Sequence, residues 1–227
     1  MSGGIPVNYS GIIFDLDGTL LDTLEDLANC MNAVLGRHGL AGHEQEKYKY
    51  FVGNGMEMLV RRALTPAHDE ENLARICLQE LHAEYGRRWN ETTKPYTGIT
   101  ALLEALESRG IGMSVLSNKA DSFTRLMIDH YFQAKRFQII YGAREGIPKK
   151  PHPGAAQEIA RLSGIAPEKY LYLGDTGVDM QTATAAGMYA IGVTWGFREE
   201  AELLETGAKT IVHHPLEVLA LLEGRAC

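Results

Sequence analysis

Cysteine is scarce in this chain, and so are the features that mark exported, membrane-spanning or nucleic-acid-binding proteins. The 227 residues include 3 Cys, at positions 30, 77 and 227. They are odd in number and far apart, which argues against a disulfide framework or a zinc site and for a reducing compartment. No apolar run approaches the roughly 18 residues that cross a bilayer. The opening segment MSGGIPVNYS lacks the basic and apolar regions of a secretory signal. A cytoplasmic protein with no membrane partner is therefore expected. Basic residues are in deficit: 22 Lys and Arg against 29 Asp and Glu leave a net charge of −7. That disfavours nucleic acid as a partner, while leaving room for a local cationic pocket around a small anion. What remains is an ordinary globular composition, 45% hydrophobic and 22% charged. It suits one large domain, or one domain carrying an insertion. A monomer is the default expectation, and a dimer is compatible with it.

Short apolar runs alternate with helical patterns. The runs cover residues 11–14, 111–116, 137–140, 170–174, 189–193 and 210–212. Successive apolar residues suit strands buried on both faces, as in a parallel sheet. Helical stretches fall between them, at about 98–109, 121–132, 154–164, 177–186 and 198–206. The alternation predicts an α/β, doubly wound, mainly parallel sheet. One interval breaks it. From Asp22 to about Lys94 no strand is predicted, and Leu24, Leu27, Ala28, Met31, Val34 and Leu35 recur at helical spacing. Further helices are expected over about 56–64 and 70–89. Residues 22–94 thus form an all-helical insert, and residues 1–21 with 95–227 form the α/β core. The hinges are expected near 21–23 and 94–98. Asp22 is predicted to cap the first helix, with Glu25 closing a capping box.

Four segments carry chemistry. Asp15-Leu16-Asp17-Gly18-Thr19 follows the first apolar run, where open α/β sheets bind ligands beyond their strand ends. Two carboxylates two residues apart repel each other, and a divalent cation relieves that repulsion. The bland alternative is an Asp-rich turn. Gly174-Asp175-Thr176-Gly177-Val178-Asp179 repeats the arrangement, and both acids can face a cation shared with Asp15 and Asp17. An acidic helix start explains Asp179 well and Asp175 poorly. In Lys149-Lys150-Pro151-His152-Pro153 a lysine sits on a stiff, extended segment and can pair with a carboxylate and a phosphate oxygen. Alone, it also reads as a solvated basic loop. Ser117-Asn118-Lys119 offers a hydroxyl and backbone N–H groups for an anion, or an ordinary helix cap.

Jointly, FDLDGTLLDT, VLSNK, KKPHP and YLGDTGVD resemble the motifs of the haloacid dehalogenase-like (HAD) superfamily, in order and context, and a helical cap after the first motif is a feature of that family. The resemblance implies a Rossmann-like HAD core and aspartate-based phosphotransfer. By position Asp15 would be the nucleophile, and Asp17 the acid that protonates the leaving oxygen and then activates water. Mg2+ would be held by the Asp15 carboxylate, the Asp17 backbone carbonyl and Asp175, with Asp179 ligating or supporting. Ser117 would hold a phosphoryl oxygen, and Lys150 would neutralise charge on the phosphoryl group and Asp15. An acid at position 17 favours phosphate-ester hydrolysis or phosphomutase chemistry, since the family's dehalogenases lack it.

The insert should select the substrate. Residues 51–64 resemble the V-G-x-G…L pattern of phosphoglycolate phosphatases, and Lys94-Pro95-Tyr96-Thr97-Gly98 resembles that subgroup's return to the core. Gly53, Asn54 and Gly55, with Asn118, are candidate substrate contacts, and Arg61 or Arg62 is a candidate cation beside them; a flexible turn with solvated arginines fits equally well. Met56, Met58 and Trp89 read as packing, His213 and His214 as solvated, His152 as shaping its loop, and Trp195 as core or site rim. The expectation is an Mg-dependent phosphatase acting on a small phosphorylated metabolite, with 2-phosphoglycolate the first choice. The alternatives are pyrophosphate, a sugar phosphate or a nucleotide, a β-phosphoglucomutase-like mutase, and a non-catalytic binding protein on the same fold.

Overall fold

The computed structural model describes residues 9–64 and 71–222. The start expected at Glu70 for the third helix of the insert, and Cys227, lie outside the described residues. The first strand, β1 (Gly11–Phe14), is fully buried. After β2 (Leu21–Asp22) come four helices: α1 (Leu24–Arg37), α2 (Gln45–Phe51), α3 (Met56–Ala63) and α4 (Glu71–Arg88). The chain returns through β3 (Lys94–Pro95) and continues α5 (Ile99–Ser108), β4 (Gly112–Ala120), α6 (Asp121–Phe132), β5 (Ile139–Ala143), α7 (Gly154–Ser163), β6 (Tyr170–Gly174), α8 (Gly177–Ala186), β7 (Tyr189–Val193), α9 (Glu200–Glu205), β8 (Thr210–Val212) and α10 (Val218–Leu222). Six strands form one parallel sheet in the order β5-β4-β1-β6-β7-β8. The chain leaves β1 toward one edge and later returns to the other side of β1. The strand order therefore reverses at the centre, where Phe14 lies level with Val115 and Leu173. The residues just beyond these three strand ends share one crevice.

The fold class matches the sequence reading, and the differences have local causes. β4 runs on past Leu116 to Ala120, losing register with β5 between those residues. Such a bulge re-aims side chains, and Ser117, Asn118 and Lys119 lie within it rather than at a helix start. Helix α2 was not foreseen. Its sequence, QEKYKYF, buries only Tyr48, so it carries almost no apolar stripe. The capping box at Asp22 does not form. Asp22 pairs with Lys94 in the short antiparallel β2–β3 ladder, Glu25 is exposed, and the cap position of α1 falls to Thr23.

Core and insert have separate apolar cores. Ile12, Phe14, Leu16 and Leu20 pack with α5, α6 and strand residues such as Val115, Leu173 and Ile191 on one side of the sheet. The other side packs Ile13, Tyr172 and Met180 against Ile159 and Ala156. Leu27, Met31, Tyr48, Leu59, Leu81 and Tyr85 make the core of the insert, joined by Phe197 from the loop after β7. Each such side chain contributes about 1.5–3 kcal/mol when fully buried. Trp89 packs against both clusters and edge-on to His130 and Tyr131, as expected of a packing residue. Met58 is exposed. Among the described residues no helix is long and apolar enough to cross a membrane.

Asp26, buried in the first turn of α1, staples the two chain crossings between insert and core. Its carboxylate accepts from the backbone N–H groups of Thr92 and Thr93 (2.9 Å each) and from both hydroxyls (2.7 Å each). Asp26→Ala leaves these donors without partners, and it is expected to cost about 3 kcal/mol of stability, read as a lowered urea midpoint. Glu84 of α4 meets Arg37, Arg87 and Arg88. Hydrogen bonds from Arg37 first, outweighing desolvation, hold its carboxyl down from 4.5 to about 2. That stabilisation is complete above pH 4.5 and fades as pH falls toward 2, because the unfolded chain takes up the proton first. The stability gap between wild type and Glu84→Gln should therefore narrow between pH 4.5 and 2. A gap constant across that window would mean that the arginines contribute nothing.

Candidate active site

Asp15 directly follows β1 and Asp175 directly follows β6, so strand ends fix both carboxylates at the crevice. Asp179 lies on the first turn of α8, where it closes a capping box with Thr176. One carboxylate oxygen from each of Asp15, Asp175 and Asp179 lies within 4.8 Å of the others, and all three residues are buried. Lys150 enters from the loop after β5, preceding a cis peptide to Pro151. Its ammonium is 2.9 Å from Asp15 Oδ1 and 2.7 Å from Asp179 Oδ1. Three buried acids thus face one buried lysine. Desolvation, then the Asp179 charge, pushes the Asp15 carboxyl up to about 7 despite Lys150. Desolvation, then Asp15 and Asp179, raises Asp175 well above the carboxylate range. Burial works to lower the Lys150 ammonium, but the two acids outweigh it and raise it.

The donor set fits a hard divalent cation, which prefers oxygen ligands and would reverse the mutual repulsion of the acids. The backbone is shaped around Asp175. Gly18 sits at φ +81°, and a Cβ there would fall 2.1 Å from Asp175 Oδ2. At Gly196 a Cβ would meet Asp175 Cβ at 2.3 Å and the Gly18 carbonyl at 2.4 Å. Asp175 is further held by Thr19 Oγ1 (3.2 Å) and the N–H of Phe197 (2.9 Å). Asp179 is engaged on both oxygens, Oδ1 by Lys150 and Oδ2 by the Thr176 N–H and hydroxyl. On Asp15, Oδ1 accepts from Leu16 N–H and Lys150, leaving Oδ2 without a hydrogen bond.

The side chain of Asp17 stands apart from the three-acid cluster. Lys119 Nζ reaches it at 2.8 and 3.1 Å, and the Thr23 hydroxyl at 2.8 Å. Beyond Asp15, Asp17, Ser117 and Lys119 lies a cavity of about 30 Å³, walled on the insert side by Leu27, Val52, Gly53, Gly55, Met56 and Leu59.

The other expected contacts sort differently. Gly53 and Gly55 line the cavity, but Asn54 does not. Its Oδ1 accepts from Arg62 Nη2 at 2.8 Å. Asn118 also lines the cavity, and its side-chain amide serves as a tie. Its Oδ1 accepts from Lys150 N–H (2.9 Å), and its Nδ2 donates to the carbonyls of Lys150 (3.1 Å) and Gly53 (3.0 Å). Arg61 pairs with Glu57 and Glu71, while Arg62 also donates to the carbonyls of Tyr50 and Phe51, bracing the loop ahead of α3. Met56, read from sequence as packing alone, is also cavity wall. Trp195 sits partly buried against the core, with its indole N–H donating to the Thr19 carbonyl at 3.0 Å. His213 and His214 are exposed, and His152 accepts from Gly154 N–H. Lys119, Thr19 and Thr23 were not singled out from sequence, although all three stand inside the quoted motifs. Arg198, which donates to the Val52 carbonyl at 3.1 Å, carried no signal.

A family model described as haloacid dehalogenase-like hydrolase matches residues 12–193. The chain belongs to the haloacid dehalogenase-like hydrolases. Within the family it is 33% identical to a phosphoglycolate phosphatase of Pseudomonas putida over 219 residues, covering 95% of this chain and 79% of that protein. It is 30% identical to one of Nitrosococcus oceani over 218 residues, 95% of this chain and 97% of the other. A haloacid dehalogenase-like hydrolase of Streptococcus pneumoniae superposes with a TM-score of 0.84 at 27% identity, over 94% of this chain and 98% of that one. A β-phosphoglucomutase of Clostridium difficile shares the fold, with a TM-score of 0.75 at 19% identity over 95% and 96% of the two chains.

Asn118 joins the Lys150 loop to the insert, so removing its amide should loosen both. Asn118→Ala leaves the buried Lys150 N–H unpaired, and kcat/KM is expected to fall on the order of 10- to 100-fold. Unchanged steady-state kinetics would show that the tie has no bearing on turnover.

Proposed function

We propose that this haloacid dehalogenase-like hydrolase is a phosphatase, a phosphoric monoester hydrolase, that works through an aspartyl phosphate and has 2-phosphoglycolate as its substrate. The observation that carries the proposal is Asp15. It is a buried carboxylate with one oxygen pinned by Lys150 and the Leu16 N–H and the other free, on the wall of a small cavity that Asp17 and Ser117 share. Asp15 Oδ2 attacks phosphorus, and the ester P–O bond breaks. Asp17 gives its proton to the departing alcohol oxygen. Asp17 then takes a proton from water, whose oxygen attacks the aspartyl phosphate and releases orthophosphate and Asp15. Ser117 and Lys150 hold the transferring oxygens, and positioning with charge stabilisation supplies most of the catalysis. Mg2+ is the proposed metal. The Asp15 and Asp175 carboxylates and the Asp17 carbonyl would hold it, with Asp179 bracing Lys150. When bound, it lets an anionic carboxylate approach an anionic phosphoryl group. Residues 22–94 act as a cap that must open for exchange, with residues 1–21 and 95–227 as the catalytic core. The likeness to phosphoglycolate phosphatases along nearly the whole chain supports the substrate.

Phosphate release with Mg2+ is the direct check, across 2-phosphoglycolate, pyrophosphate, β-glucose 1-phosphate, and nucleoside monophosphates. Turnover of 2-phosphoglycolate that disappears in Asp15→Asn and on chelation is the expected result. Turnover of a different compound with the same sensitivity would keep the chemistry and discard the substrate. Turnover that survives Asp15→Asn would discard the mechanism.

A further inference from the structure

The cavity above Asp15 has a lopsided wall. On the insert side, four apolar side chains, Leu27, Val52, Met56 and Leu59, surround two glycines, with the Lys149 ammonium and the Arg198 guanidinium behind the glycines and outside the lining. Arg61 and Arg62, the basic residues of α3, are committed to Glu57 and Glu71 and to the Tyr50 and Phe51 carbonyls. Among the residues that line the cavity, Lys119 alone is cationic.

We propose that Lys119 is the specificity-determining residue of this site, reading a carboxylate carried by the leaving group of the substrate. This deepens the phosphatase reading above and rests on it. The Lys119 side chain is 2% exposed. Its ammonium donates to both Asp17 oxygens (2.8 and 3.1 Å), and the Tyr85 ring lies 4.7 Å away. An ammonium offers three donors, and a charge-assisted bond to a second carboxylate is stronger than a neutral one. The rest of the wall works by exclusion. A polyol or nucleoside leaving group would set hydroxyls, stripped of water, against Leu and Met side chains that accept no hydrogen bond. The small cavity favours a short leaving group. A short anionic ester satisfies the lysine and leaves nothing polar facing the apolar wall.

The simpler role for Lys119 is to hold Asp17 in place, and kinetics separate the two. The probes are 2-phosphoglycolate and ethyl phosphate, which differ by the carboxylate, assayed with wild type, Lys119→Met and Lys119→Arg in Mg2+. Wild type should prefer 2-phosphoglycolate. Lys119→Met should cut that preference on the order of 10- to 100-fold, chiefly through KM, and Lys119→Arg should restore part of it. An equal loss on both probes, carried by kcat, would overturn the proposal and leave Lys119 as a positioning residue. Wild type that favours ethyl phosphate would also overturn it, with the phosphatase reading intact. Absence of phosphate release from any ester would remove both. If Lys119→Met does not fold, as judged by circular dichroism, the carboxyl methyl ester of 2-phosphoglycolate decides with wild type. Poor turnover of the ester supports the proposal, and turnover equal to that of the acid overturns it.

Discussion

Three carboxylates buried around one lysine are the constraint on which the rest of this molecule depends. Removing Asp15, Asp175 and Asp179 from water is costly unless each is paired or bonded. Lys150 answers part of the cost by touching two of them. Thr19, Thr176, and the backbone of Leu16 and Phe197 answer more. What they leave is an excess of negative charge beneath a free Asp15 oxygen. That excess weakens the fold locally, and it is also what makes the spot able to take a divalent cation and then a phosphoryl group. A well-paired apolar replacement would be the more stable solution and would do no chemistry.

The sheet makes such crowding possible. Acids that follow β1 and β6 come within reach because those strands are neighbours in register, and β4 on the other side of β1 brings Ser117. Close approach then demands the absence of side chains. Gly18 and Gly196 clamp Asp175 from two loops, where any Cβ would overlap it. Insert and core meet through apolar contacts, Phe197 and Phe123 against the insert's cluster and Trp89 against both, and through polar ties. Asn118 reaches Gly53 and Arg198 reaches Val52, each through a single hydrogen bond to a carbonyl. Bonds of this kind contribute about 0.5–1.5 kcal/mol each. By contrast, Asp26 ties the base of the insert with four bonds.

Most of the core could be read from the sequence, because its strands are continuous apolar runs and its acids follow them directly. The Asp15 and Asp175 motifs need only local order to be recognised. The parts that escaped depend on long-range partners. Asp22 looks like a helix cap until the ladder with Lys94, 72 positions later, claims its backbone. Helix α2 has almost no apolar stripe, and only packing around Tyr48 reveals it. The structural tie made by the Asn118 side chain cannot be read when its neighbours are unknown. Three-dimensional contact with the Lys150 loop and with Gly53 shows where its amide is spent. Arg61 and Arg62 suggest an anion site by charge alone, and their acidic and carbonyl partners dispose of it.

The division of labour that results is physical rather than conventional. The floor of the site is polar, crowded and over-determined, so it treats any phosphoryl group alike. The roof is apolar and can distinguish leaving groups only by what it refuses to solvate. One charged side chain set between the two is enough to turn refusal into selection, because an ion that lacks a partner there loses far more than a methyl group would. In the proposed reading Lys119 supplies that charge, on the floor side of the cavity. From β4 it faces both Asp17 and the cavity. Ser117 and Lys119 are two residues apart, so the two-residue period of a strand sends both toward one face, and both line the same cavity.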